Sequence, residues 1–360
     1  MPDAPDDPLF APTRLGALAL TNRVVMAPMT RSRADVDGAP TEVMADYYAQ
    51  RASAGLLISE GIYPSEDGKG YCRTPGLASG AHVDGWRRVV DGVHAAGGRI
   101  VAQLMHVGRV AHRDNKAAGA ETVAPSAVTA RGEMFTDTGG MQAFEAPRAL
   151  ATKEIPGVVD EYARATRRAL DAGFDGVELH GTSGYLPAQF LSTGTNQRTD
   201  AYGGSLANRL RFPLEVLGAM ADVAGADRVG LRICPGNPFN DLSDDDPEET
   251  FRALLEAVNP MGLAYLHVIR LHGVPLDNIA LALAGFSGPL ITNDSYDADE
   301  ARAVLSGGRV AAVAFARSFI ANPDLVERFR QGASLARFDP KRLYTPGAAG
   351  YSDYPALGDA

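Results

Sequence analysis

At 360 residues, with 45% apolar residues and a formal charge of −10, the chain could form two ordinary domains or one large α/β barrel. The acidic balance and the lack of a dense basic run exclude nucleic acid or an anionic membrane surface as the expected partner. Two cysteines, Cys72 and Cys234, are too few for a disulfide framework or a thiolate metal site, and no apolar run is long enough to cross a bilayer.

The start, MPDAPDDPLF, is acidic and proline-rich and carries no basic-then-apolar signal, so the expected location is cytoplasmic. Residues 14–20 read as short strands, an N-terminal β-hairpin closing one end of the fold. Apolar strands and periodic helices then alternate. The strands are predicted at 23–29, 54–61, 99–106, 174–180, 228–234, 263–269, 289–293 and 310–317. Helices are predicted at 40–53, with Thr41 as N-cap, and at 84–96, 154–173, 205–224, 247–259, 275–284, 297–306 and 322–332. Residues 107–153 break the rhythm. They are polar and punctuated by Gly and Pro, and read as a long insertion after strand three rather than a domain. Eight such units without a linker predict one (β/α)8 TIM barrel over 1–360.

In such barrels the site lies at the C-terminal ends of the strands. Those ends carry Pro28, Met29, Thr30 and Arg31; Glu60 and Gly61; Gln103 and His106; His180, then Tyr185; Arg232; Asn293, Asp294 and Ser295; and Ala316 and Arg317. Polar residues above apolar strands suggest a ligand with several hydrogen-bonding edges. His180 can donate to an oxygen and Tyr185 can deliver a proton. No metal-ligand spacing, GxSxG elbow, P-loop or GxGxxG follows a strand, so a bound organic cofactor is the expected source of chemistry. His267, in the middle of LAYLHVI, reads as a core histidine. Cys234 reads as a pocket-wall thiol, and Asp244–Asp246 as charge at a helix start.

The segments VMAPMTRSRA (25–34), YYAQRASAGLLISEG (47–61), NQRTDAYGGSLANR (196–209), FIANPDL (319–325) and GYSDYPAL (350–357) resemble the Old Yellow Enzyme family of flavin-dependent ene reductases, in particular its bacterial branch. The resemblance implies FMN, with NAD(P)H as co-substrate, and reduction of electron-poor C=C bonds such as those of enones and nitro-activated alkenes. It implies that Thr30, with Pro28, Met29 and Gly61, and Gln103 meet the flavin ring. Arg232 would lie beside N1 and O2, and Arg317, with Asp294, Ser295 and Ala316, at the phosphate. His180 would bind the substrate oxygen and Tyr185 donate the proton; Ser183, Tyr71, Met105 and Tyr351 would line the substrate pocket. Family members occur as monomers and homodimers.

Four positions depart from the family pattern. Ser183 replaces a His or Asn, which predicts a weaker second arm on the substrate oxygen. Asp294 interrupts a glycine-rich phosphate loop, and Ala316 replaces the usual Gly before Arg317; both are expected to weaken the grip on FMN. Met105 stands where Trp is common. Asp294 and Ala316 also motivate a second reading, a redox-neutral isomerase or cyclase using His180 and Tyr185 for acid-base chemistry.

Overall fold

Eight parallel strands close into a barrel in the computed structural model, which describes residues 7–358. The strands are β1 (Val24–Met26), β2 (Leu56–Ile62), β3 (Ile100–Leu104), β4 (Gly176–His180), β5 (Val229–Ile233), β6 (Tyr265–Ile269), β7 (Leu290–Asn293) and β8 (Ala312–Phe315). Neighbours in sequence are neighbours in the barrel, and β8 pairs with β1 to close it. These short strands are buried on both faces, which is why they read as continuous apolar runs rather than alternating ones. The acidic stretch 1–6 and the last two residues lie outside the described residues.

The outer layer holds α1 (Glu42–Ala49), α2 (Gly80–Ala95), α3 (Ile155–Asp171), α4 (Leu186–Leu191), α5 (Leu206–Ala224), α6 (Pro247–Val258), α7 (Asn278–Gly285), α8 (Ala298–Ser306), α9 (Arg317–Ala321) and α10 (Leu325–Gln331). Two of these are corrections to the sequence reading. The short α4 and α9 follow β4 and β8 directly, too short for their periodicity to show. Thr41 does precede α1, but its hydroxyl donates to the Arg33 carbonyl instead of capping the helix. Asp246 caps α6 by accepting from the Glu249 N–H, so that acidic cluster does mark a helix start.

A hairpin, Thr13–Leu15 paired with Leu18–Leu20, plugs the N-terminal end of the barrel. Leu15, Leu18 and Leu20 pack against Val25, Ile58, Val101, Ile291 and Ala314, so the lower barrel is solid. The opposite end is left for chemistry. The insertion 107–153 contains an antiparallel pair, Glu133–Thr136 with Gly140–Ala143, and a two-residue parallel pair, Val123–Ala124 with Arg148–Ala149. Strand β2 carries a one-residue bulge: Ile58 pairs with Val101, but Gly61 pairs with Gln103. The bulge takes Glu60 away from its expected place at a strand end. Its backbone N–H donates to the Tyr48 hydroxyl on α1, and its carboxylate accepts from Arg31 N–H. Among the described residues no helix is long and apolar enough to cross a membrane.

Candidate active site

Strand register brings His180 beside Arg232, and Arg232 beside His267, on three adjacent strands. Burial, then the charge of Arg232, pushes His180 well below the ordinary imidazole range, so it is neutral at physiological pH. Its Nδ1 is buried without a partner. Arg232 donates from Nη2 to Asn293 Oδ1 at 2.9 Å and leaves a buried Nε unpaired. Gln103 donates from Nε2 to Glu178 at 2.7 Å. Gly61 lies in register with Gln103, and a Cβ there would come 2.5 Å from Met105 Sδ, so the missing side chain is what admits Met105. Met105 packs with Val107, Val110 and Tyr185.

Over this floor stands a cavity of about 820 Å³, lined in part by Thr30, Tyr71, Tyr185, Phe144 and Asn240. The Tyr185 and Tyr71 hydroxyls are 3.0 Å apart, and the Tyr185 ring meets His180 edge-on with centroids 4.9 Å apart. Burial, then Tyr71, raises the Tyr185 phenol well above its usual value, so it holds its proton at neutral pH. Ser183 has a left-handed backbone (φ 58°), and its carbonyl accepts from Asn240 Nδ2 at 2.8 Å. His106 lies just past β3. Burial, then Lys116, lowers it to about 3, and its Nδ1 accepts from Gly108 N–H, which fixes the tautomer with the proton on Nε2.

The expectation for Tyr351 is corrected. Its ring is fully buried and stacks on Tyr47 at 3.9 Å, with the Arg31 and Arg33 guanidinium groups over its face. It belongs to the packing behind the bulge rather than to the cavity wall.

At the far side of the mouth, Asp294 and Ser295 both have positive φ, 89° and 57°. The backbone therefore keeps a glycine-like turn with residues that tolerate it less well. Arg270, just beyond β6, explains how. Its guanidinium donates to the carbonyls of Asp294 (3.3 Å) and Ser295 (2.8 Å) and sits 3.7 Å from the centre of the Tyr296 ring. Asp294 Oδ1 lies 3.5 Å from Arg317 Nη2. Ala316 has φ −99°, so its Cβ brings no backbone strain.

Two polar residues near the site were missed from sequence. Asn240 lies in the PGNPFND loop, whose composition signals only a turn; buried Arg109 holds that loop through the Asn240 and Asp241 carbonyls. Glu178 did carry a signal, a charge in the middle of a buried strand. His267 is a buried core histidine with a partner, as its sequence position suggests: its Nδ1 is 2.9 Å from the Glu178 carboxylate. Burial pushes the Cys234 thiol up to about 12, and Asn278 Nδ2 lies 3.7 Å from its sulfur, which rules out a thiolate nucleophile.

Residues 8–336 match the model of the NADH:flavin oxidoreductase / NADH oxidase family. The chain is 43% identical to a probable flavin mononucleotide-dependent alkene reductase of Leishmania infantum, covering 98% of each. It is 41% identical to 12-oxophytodienoate reductase 7 of Oryza sativa subsp. japonica, over 98% of this chain and 95% of that one. A structure of morphinone reductase in complex with tetrahydroNAD superposes with a TM-score of 0.94 at 48% identity, covering 98% and 99% of the two chains. The chain belongs to the NADH:flavin oxidoreductase family. This is the Old Yellow Enzyme family of the sequence resemblance, and the protein is an FMN-dependent oxidoreductase using NAD(P)H.

The family's cofactor can be tested against the geometry. Arg232 Nε and His180 Nδ1 are buried polar atoms without protein partners on neighbouring strands, Gln103 lies on the next strand, β3, and Thr30 lines the cavity. Such a set suits a flat ring edged with nitrogens and carbonyl oxygens. The turn at Asp294–Ser295 and the exposed Arg317 suit an anion, although the Asp294 carboxylate competes for Arg317. The residues therefore fit FMN, with one unfavourable charge.

Proposed function

We propose that this chain reduces alkenes conjugated to a carbonyl or nitro group, with His180 holding the activating oxygen and Tyr185 delivering the proton. In this reading it is a cytoplasmic enzyme with small-molecule partners, working as a monomer or homodimer. The observation that carries it is the edge-on pairing of a neutral His180 with a protonated Tyr185, whose side chain lines the cavity. The chemistry that FMN supplies when bound is hydride transfer, in from NAD(P)H and out to the alkene.

The side chains divide the remaining work. A neutral imidazole donates to the substrate oxygen without burying a second cation beside Arg232, and the bond strengthens as negative charge grows on that oxygen. The Tyr185 phenol protonates the α-carbon. Tyr71, 3.0 Å away, fixes its hydroxyl and is placed to share the charge left behind. Thr30, Gln103 and Arg232 hold the cofactor's ring, and Arg317 with the Asp294–Ser295 turn its phosphate. Met105 and Tyr71 shape the cavity, and Ser183 sets the turn into α4.

The test is direct. The purified chain, loaded with FMN, should be yellow and, under anaerobic conditions, should oxidise NADPH beyond the amount that reduces its bound FMN only when 2-cyclohexen-1-one is added, giving cyclohexanone. Made in D2O, the product should carry deuterium at the α-carbon. A protein left colourless by excess FMN, or product formed without NAD(P)H, would refute the reading.

A further inference from the structure

Beneath the side chains that face the mouth lies a buried acid that the proposed reaction leaves unused. Glu178 sits in the middle of β4 with no exposed surface. Gln103 Nε2 donates to one carboxylate oxygen at 2.7 Å, and His267 Nδ1 meets the other at 2.9 Å. Gln103 is in register with Glu178 on the neighbouring β3. His267 is two strands away, on β6.

A glycine lies between them on the intervening strand. Gly230 stands opposite Glu178 on β5, and Tyr265 opposite Gly230 on β6. A Cβ on Gly230 would come 2.3 Å from the Tyr265 ring. The space the glycine leaves is filled by the Tyr265 ring, which packs between β4 and β6. Arg232, two residues on from Gly230 along β5, stands in register with both His180 and His267.

The charge state follows from the surroundings. Burial alone would raise the Glu178 carboxyl, but His267, Arg232 and the Gln103 amide outweigh it and hold it below the usual carboxylate range. Burial lowers His267 despite the carboxylate. So Glu178 is ionised and His267 is a neutral donor. A carboxylate only accepts, so the Gln103 amide must turn its nitrogen inward and its oxygen the other way. The single negative charge offsets Arg232 in a setting with little solvent screening.

We propose that Glu178 is a positioning residue for the redox chemistry: it orients Gln103, balances the charge of Arg232, and so sets how strongly the site favours reduced over oxidised flavin. The inference rests on the FMN-binding role proposed for Gln103 and Arg232. Reduced flavin carries the additional negative charge, so removing Glu178's charge leaves Arg232 free to favour it.

The experiment is a spectroscopic redox titration of the FMN-loaded wild type and Glu178→Gln, without alkene. The variant should shift the reduced-to-oxidised equilibrium about tenfold toward reduced flavin, or ~30 mV upward for a two-electron couple. Glu178→Asp, which keeps the charge, should restore most of the wild-type value. His267→Gln, which keeps a neutral donor, should leave it unmoved. Where Glu178→Gln does not accumulate, His267→Leu tests the same charge: the carboxylate loses a partner, takes up a proton, and the potential should rise. A folded, FMN-loaded Glu178→Gln or His267→Leu at the wild-type potential overturns the inference alone. A wild type that takes up no FMN overturns the functional reading, and this inference with it.

Discussion

The two ends of the barrel mouth are held by different means. At the end proposed to hold the flavin ring, Gln103, His180 and Arg232 are 1%, 5% and 9% exposed, and each is placed by strand register. At the end proposed to hold the phosphate, the Arg317 side chain is 72% exposed, and Asp294 sits on a turn held by Arg270. Charges at the first end act in a poorly screened interior, whereas those at the second compete with water and salt. Changes at the buried end should therefore alter what the site does. Changes at the open end should alter how firmly the cofactor is held.

The largest expected effect belongs to the buried end. Tyr185→Phe removes the proton donor, and alkene reduction should fall by roughly 10²–10⁴-fold. Reduction of bound FMN by NADPH should stay near wild type in stopped-flow. An equal loss in both half-reactions would mean that Tyr185 serves binding instead.

Glu60 tests the interior through pH. Burial raises its carboxyl from 4.5 to about 7. A carboxyl raised in the folded chain binds its proton more tightly there than when unfolded. Its contribution is fully present below pH 4.5 and is lost as pH rises through about 7. The term is worth at most ~3 kcal/mol. Glu60→Gln should flatten urea stability across that window relative to wild type; parallel curves would show that Glu60 titrates normally.

Smaller effects are expected at the open end. Arg317→Ala should weaken FMN binding by about tenfold and reduce its salt dependence, as judged by fluorescence titration. Smallest is Asp294→Gly, which removes a like charge and relieves a strained φ. FMN should bind a few-fold tighter, a gain of roughly 1 kcal/mol that shrinks at high salt. If FMN binding is instead weakened, Asp294 helps to hold the cofactor and the contrast between the two ends fails.

Much of this site could be read from the chain because (β/α)8 barrels place chemistry at strand ends, and strand ends are visible wherever an apolar run meets a polar residue. That logic pointed to Thr30, Gln103, His180, Arg232 and Arg317 as candidates, and the family resemblance suggested the roles now proposed for them. It misplaced Tyr351, because an aromatic in a loop carries no local sign of the ring it will stack on. The turn at Asp294–Ser295 was invisible for a related reason. Glycine announces a positive φ, but Asp and Ser do not, and here the turn is held from another strand by Arg270.

The amino-acid pattern alone determined the eight strand-helix units, the long insertion and the His180–Tyr185 pair, since each rests on local periodicity or on residues close in sequence. Only the tertiary structure decided what stands beside what. The bulge at Glu60, the closure of Asn240 over Ser183, and the contact of His267 with Glu178 two strands away all join residues far apart in sequence. Their geometry follows from barrel register and packing, which no single segment encodes.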